Sequence, residues 1–523
     1  MFYSFSQFFA NQRPSALYQE FLQREGVDLE QILEHEDTVT ELKKGNRELL
    51  DCLQAQVPEL LQWISRAEGC RQAPFVAAEI LTSDAFMNEV TSDCLTFPLF
   101  FRFLQAPAPL NDTLAGYNVR ACLKLLERQE VRVAEFLITS AQWTDLLLGH
   151  LQSRAVAELV FELLCSSRLT EERQALLKGV VGKLAATGER QVAVNAGWIG
   201  GEVLRRADNV GEWKRLVGVL LSEDVLQTLG SVITTETAGD QAALVLCTLI
   251  SHYSFPQLLA PLLLSPPQSN SLQALTALLH TAALHLQTPI TTSPTPTSYG
   301  DIAPPLGPTR LQLLHLLLSC LKALGPVLSP LLQDCSFLQT CTKLFLAYPW
   351  HSSLHIAYCS LVTTVLEGQS QSLKVTLMEE VRLVELLACL GCGGEHRKGY
   401  MGQVTQMGNA LLTVSRRNSY FQQFLSEAVW TDFCQNYLFP QTKVESTQYL
   451  STPRTPSEDE LEYFPSTGLQ IPNEAITLEE LDQQNPFDLW GDEDSGPEDL
   501  RDLYSAGNYW KVPVRSGDLV DLE

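Results

Sequence analysis

Residues 23–53 read QREGVDLEQILEHEDTVTELKKGNRELLDCL, and their spacing describes two capped helices in succession. Asp28 followed by Gln31 has the spacing of a capping box, and Leu29, Ile32 and Leu33 give the first helix an apolar edge. Asp37 stands where it can cap a second helix, in which Val39, Leu42, Leu49, Leu50 and Leu53 fall on one face. Asn46 falls on that same apolar face. A buried amide must find partners, so Asn46 is expected to bond backbone groups of an adjoining segment. Glu41, Lys43, Lys44, Arg47, Glu48 and Asp51 occupy the outer face. The second helix is amphipathic and built to lie on something.

The pattern continues to about residue 440. Apolar faces recur over 119–126, 143–151, 156–164, 242–250 and 272–286, with breaks at Pro107-Ala108-Pro109, Pro266-Pro267 and 391–394. Strand-type alternation is almost absent. Many helices are short and apolar over more than one face, which places each between neighbours. The expected fold is all-α, an armadillo- or HEAT-like helical solenoid over residues 1–440, although no repeat of fixed period is legible. Residues 287–310, QTPITTSPTPTSYGDIAPPLGPTR, are expected to form an exposed, extended loop, because their prolines lack amide donors. Residues 441–523 are rich in Pro, Ser and acids, cannot bury a core, and are expected to form a disordered acidic tail.

Of the net charge of −25 carried by 523 residues, −14 falls in 441–523. A net acidic chain without a dense Lys/Arg patch argues against nucleic-acid binding. Thirteen scattered cysteines and a start, MFYSFSQFFANQRP, that lacks a basic n-region point to free thiols in a reducing cytosol. Residues 241–300 hold no charged side chain. His252, Ser254, Pro256 and Pro261 interrupt their most apolar run, however, so two buried helices joined at Phe255-Pro256 are expected and not a membrane span.

Several ordered landmarks resemble the SAPS-domain family, the regulatory subunits of type 6 (2A-like) serine/threonine protein phosphatases. They begin with Met1-Phe2-Tyr3, the step from Glu25 to Leu33, Glu36-Asp37, and the helix from Glu41 to Asp51. They continue through Ala78 to Thr82, Pro109-Leu110-Asn111 with Leu114-Ala115, and Pro304 to Gly307 leading into Arg310-Leu311. Lys343-Leu344-Phe345, Tyr348-Pro349-Trp350, Leu354-His355 and Gly399-Tyr400-Met401-Gly402 complete the set. The resemblance implies a scaffold without catalytic residues that binds a type 6 phosphatase catalytic subunit, directs its substrate choice or location, and leaves room for a third scaffold subunit. Asp37, Glu41, Lys44 and Arg47, read as exposed, and Gly399, Tyr400 and Gly402 are the candidate partner contacts. Ordinary solvated helix surface is the alternative for the first four.

No other constellation supports chemistry. Cys389, Cys392 and His396 have the spacing of three zinc ligands but lack a fourth, and a Gly-rich loop is the plainer reading. Gly197-Trp198-Ile199-Gly200-Gly201 lacks the Lys-Ser/Thr ending of a phosphate loop. No cofactor or metal is expected, and the chain reads as a phosphatase partner and not an enzyme. Tyr348-Pro349-Trp350-His351 reads as a capping turn with Trp350 packed between repeats, in preference to an aromatic peptide-binding spot. Ser293, Thr295, Thr455 and Ser457 are candidate phosphorylation sites. Asn485-Pro486-Phe487 resembles the tripeptide bound by EH domains and supports a competing reading as a membrane-traffic adaptor. The expected location is the cytoplasm, with the nucleus open as a second.

Overall fold

In the computed structural model, eight helices stack one on the next along the chain: Gln72–Thr82, Asp112–Arg128, Arg154–Cys165, Arg190–Arg206, Gly239–Ile250, Pro308–Leu324, Ser352–Glu367 and Met401–Ser415. A second row, Thr170–Ala186, Glu223–Val232, Asn270–Gln287 and Phe337–Ala347, stacks in the same sense beside it. The structure describes residues 15–446 except 25, 67–71, 91–96, 166–169, 187, 207–214, 216–217, 252–269, 291–294, 298–299, 303 and 392–397. Buried side chains from Tyr18 to Leu438 form one continuous apolar core between the rows. A helix held between neighbours needs apolar residues on two faces, which explains the broad Leu-rich surfaces in the sequence. The chain is an all-α helical solenoid.

The repeat that is hidden in the sequence emerges in the polar contacts between helices. Asn195 Nδ2 donates to the Leu151 carbonyl at 2.7 Å across 44 residues. Arg206 reaches Glu162 across 44, and Lys178 reaches Asp224 across 46. The Tyr348 hydroxyl donates to the Pro304 carbonyl at 2.6 Å across 44, and His150 Nε2 lies 2.8 Å from the Leu104 carbonyl across 46. Arg120–Glu79 and Tyr420–Glu379 each span 41. A recurring offset of this size matches the roughly 40–47 residues of an armadillo or HEAT unit. Two pairs run longer, Ser251–Ser319 at 68 and Thr309–Thr235 at 74. The extra chain lies between helices Gly239–Ile250 and Pro308–Leu324 and is not residues 287–310 alone, since the bond from Gln287 to the Cys335 carbonyl crosses 288–310 and spans only 48. Residues 287–310 are not wholly the extended loop expected. Thr295–Thr297 pairs antiparallel with Gly300–Ile302 as a short hairpin.

The charge-free stretch enters the core as expected where it is described. Helix Gly239–Ile250 packs between Arg190–Arg206 and Pro308–Leu324. Among the described residues no helix is long and apolar enough to cross a membrane, and the Phe255-Pro256 joint lies outside them. Helix Phe439–Ser446 is the last element described, so helical structure runs past residue 440. The acidic tail lies outside the described residues.

Candidate functional site

The first two predicted helices are three. Leu29–Glu34 begins at the predicted capping box, with the Asp28 side chain accepting from the Gln31 amide and Gln31 Oε1 accepting from the Asp28 amide. The expected second helix is broken into Thr38–Lys43 and Arg47–Gln54. Gly45 adopts φ +71°, its amide bonds the Leu42 carbonyl, and the Asn46 amide bonds the Glu41 carbonyl. This is a Schellman C-terminus, for which a residue without Cβ is favoured. Asp37 does not cap: its side chain makes no capping bond, and its own amide donates to the His35 ring.

Asn46 is buried as expected, with 1% of its surface exposed, but its partners differ from those expected. Its Oδ1 caps the third helix by accepting from the Leu49 amide at 3.3 Å, and its Nδ2 donates to Glu41 Oε2 at 3.1 Å. Glu41 is the principal correction. It is 1% exposed and absent from the outer face, because its carboxylate also accepts from Lys44 Nζ at 2.7 Å and the Ser15 amide at 3.2 Å. Burial pushes the Glu41 carboxyl up, but the bonds from Lys44, Asn46 and Ser15 outweigh it and hold the group below its usual range. Above this hub the Tyr18 hydroxyl meets Thr38 Oγ1 at 2.7 Å, and burial raises Tyr18 to about 12. Lys44 is half-buried in its ion pair, leaving Asp37 and Arg47 as the exposed members of the predicted set.

A second cluster of predicted residues does converge. Gly399 donates its amide to the Pro349 carbonyl at 3.1 Å, joining the turn before helix Ser352–Glu367 to the turn before helix Met401–Ser415. A Cβ on Gly399 would stand 2.9 Å from that carbonyl, so glycine is required for the approach. A Cβ on Gly402 would meet nothing within 4 Å, so no neighbouring element presses on that position. Tyr400 is buried, its ring 5.0 Å from Phe345 and 5.6 Å from His355, and so cannot be a direct partner contact. His355 Nε2 lies 2.7 Å from the Tyr348 carbonyl, while desolvation lowers its pKa despite that bond. His351 Nδ1 caps the next helix by accepting from the Leu354 amide at 3.2 Å.

Around this pinned corner Trp350 is 60% exposed. The expected capping turn is present, but Trp350 is not packed between repeats as expected. Lys398 Nζ stands 5.9 Å from the centre of its ring. Leu346 and Ile356, on the helices either side of the turn, are also exposed. An exposed Trp on a corner held by the Gly399–Pro349, His355–Tyr348 and His351–Leu354 hydrogen bonds presents a large contact surface at little entropic cost on binding. The sequence signal was present: Trp350 lies between a proline and a helix cap, off the apolar stripe of either helix.

Gly197 and Gly200 sit within helix Arg190–Arg206 and let it approach Gln241 and Val245 of the neighbouring helix. Cys389 is exposed, whereas Cys392 and His396 lie outside the described residues, as do Ser293, Thr455, Ser457 and Asn485-Pro486-Phe487. Thr295 opens the inserted hairpin. Among the described residues no group of three His, Cys, Asp or Glu is placed to hold a metal ion.

Residues 322–447, which contain the Trp350 corner, match the SAPS family model, described as SIT4 phosphatase-associated protein. Serine/threonine-protein phosphatase 6 regulatory subunit 1 of Homo sapiens is 26% identical over 540 residues, covering 87% of this chain and 60% of that protein. Regulatory subunit 3 of Gallus gallus is 23% identical over 522 residues, covering 86% of this chain and 60% of its own length. The chain thus spans about three fifths of the relatives it matches. The SAPS resemblance read from the ordered landmarks holds, and both relatives are named for the phosphatase. The crystal structure of importin beta covers 85% of this chain and 57% of its own at 10% identity, with a TM-score of 0.31. The repeat architecture rests on the contacts described above and not on that likeness.

Proposed function

We propose that this chain is a regulatory scaffold that binds a type 6 serine/threonine phosphatase catalytic subunit and directs its substrate choice or location. The observation that carries the reading is the likeness, over most of the chain, to proteins named as regulatory subunits of that phosphatase. The geometry agrees with it. A solenoid offers an extended row of turns, and the Trp350 corner in the SAPS segment is a fixed aromatic anchor of the kind that dominates binding energy. The action is tethering: a phosphoprotein held by the array meets the catalytic subunit at raised effective concentration. The chain itself supplies binding and no chemistry, and the turns away from Trp350 are available to a third subunit. The cytoplasm is its proposed place of action, with the nucleus second.

The test is affinity purification of the full tagged chain from cells, followed by immunodetection of the type 6 catalytic subunit and a phosphatase assay of the eluate. Recovery of the catalytic subunit with phosphatase activity is expected. Its absence from the full-chain eluate overturns the proposal.

A further inference from the structure

We propose that Ser419 is a phosphorylation site for an arginine-directed serine kinase. Arg416 and Arg417 stand three and two residues before Ser419, and the apolar ring of Tyr420 follows it. Two guanidinium groups at that spacing pair with the carboxylates that such kinases place beside their catalytic cleft. The fold presents these residues as the motif requires. Arg416, Arg417 and Ser419 are all exposed, on the turn between helices Met401–Ser415 and Ser419–Leu425. Arg416 closes the first helix, and Asn418 is already extended, at φ −138° and ψ 111°.

Asn418 and not Ser419 caps the second helix, its side chain accepting from the Tyr420 amide at 3.0 Å, so the Ser419 hydroxyl is not spent on the cap. Entry into a kinase cleft requires Ser419 and Tyr420 to straighten. What must give way is the Asn418 cap, the exposed bond from the Tyr420 hydroxyl to Glu379 at 3.1 Å, and the contacts of the half-buried Tyr420 ring with Phe421 and Phe424, whereas Ser419 itself is exposed. Phe421, fully buried, marks where the segment stays anchored. In the transfer, the Ser419 Oγ–phosphorus bond forms as the bond from the γ-phosphorus of ATP to its bridging oxygen breaks. ADP leaves with that electron pair, and the hydroxyl proton passes to the carboxylate base of the kinase. The phosphate then adds close to two negative charges beside Tyr420 and its partner Glu379. This inference does not depend on the phosphatase reading.

The test incubates the native full-length chain with the catalytic subunit of a cyclic-AMP-dependent kinase and labelled ATP, and locates the label by peptide mass spectrometry. A synthetic 413–423 peptide serves as the positive control. The expected result is about one phosphate per chain at Ser419, retained in Ser419→Thr, absent in Ser419→Ala, and slowed about tenfold or more in the Arg416→Ala/Arg417→Ala pair, which loses both charge-assisted contacts. Because Ser419 is exposed, Ser419→Ala should melt as the parent does, which separates loss of the acceptor from loss of the fold. Failure of the native chain to take label while the peptide does, or label undiminished in Ser419→Ala, overturns the proposal.

Discussion

Replacing Asn46 tests the hub that joins the first helices. Asn46 does two separable things: its oxygen caps helix Arg47–Gln54, and its amide donates to the buried Glu41 carboxylate. Loss of an Asn cap costs about 1 kcal/mol, and loss of a hydrogen bond to a charged group costs about 1.5–3 kcal/mol. Asn46→Leu removes both, and with some return from the added apolar contact should cost about 2–4 kcal/mol. Asn46→Ser keeps an acceptor for the Leu49 amide and loses only the donor, so its cost should be about 1.5–3 kcal/mol. Asn46→Asp keeps the cap but sets a second carboxylate against Glu41, and should cost more than Asn46→Ser near neutral pH. In an array this long a single global unfolding midpoint can miss a local change, so the assay is hydrogen exchange of peptides spanning 38–54. Asn46→Leu should lower protection of the Leu49 and Leu50 amides by about 30- to 700-fold, tenfold for each 1.4 kcal/mol. A change below about threefold in Asn46→Leu would refute a hub held together by Asn46.

Trp350→Ala should leave hydrogen exchange of the array unchanged while weakening capture of the type 6 catalytic subunit by about 30-fold, as for a binding hot spot; an unchanged affinity removes the corner from the interface. Gly399→Ala should destabilise by about 1–3 kcal/mol, because its Cβ would press on the Pro349 carbonyl, whereas Gly402→Ala, in open helical space, should be neutral or stabilising by about 0.5–1 kcal/mol; equal effects in thermal unfolding would contradict these contacts. Glu41 has a folded pKa below its ordinary 4.5, so its stabilisation is present above that pH and is lost as pH falls through the folded value. Acid should therefore expose peptides over 38–54 to exchange in the parent but shift little in Glu41→Gln. A thiol reagent should modify exposed Cys389 in the native chain and spare Cys122, Cys320 and Cys341, which are buried and have raised pKa values; early labelling of those three would show the core to be open.

The helical class, the Asp28 capping box, the burial of Asn46 and the membership of 242–250 in the core were all legible, because each depends on side-chain type at short spacing. The break at Gly45 was legible in principle. A glycine followed by asparagine after a two-lysine turn is a C-terminus followed by a cap, but the apolar positions on either side happened to keep one helical phase and concealed it. Glu41 was misplaced for the same reason. On a continuous helix it faces solvent, whereas on a helix that ends two residues after it, at Lys43, its carboxylate is enclosed by Ser15, Lys44 and Asn46. Trp350 failed in the opposite direction, since a large aromatic in an apolar neighbourhood is assigned to the core unless the turn that holds it is known.

The period of about 44 residues was hidden for a different physical reason. In the bonds that carry it, the acceptor is often a main-chain carbonyl: Leu151 for Asn195, Leu104 for His150, Pro304 for Tyr348. Every residue type supplies a carbonyl, so the accepting side of the repeat leaves no trace in composition. The donors are an amide, an imidazole and a phenol, which differ in type while occupying the same structural role. The apolar positions cannot mark the period either, because helices buried on two faces accept Leu, Val or Ala at most inward sites. The extra chain between helices Gly239–Ile250 and Pro308–Leu324 is tolerated because it lengthens the offsets that cross it while the helices on either side still meet.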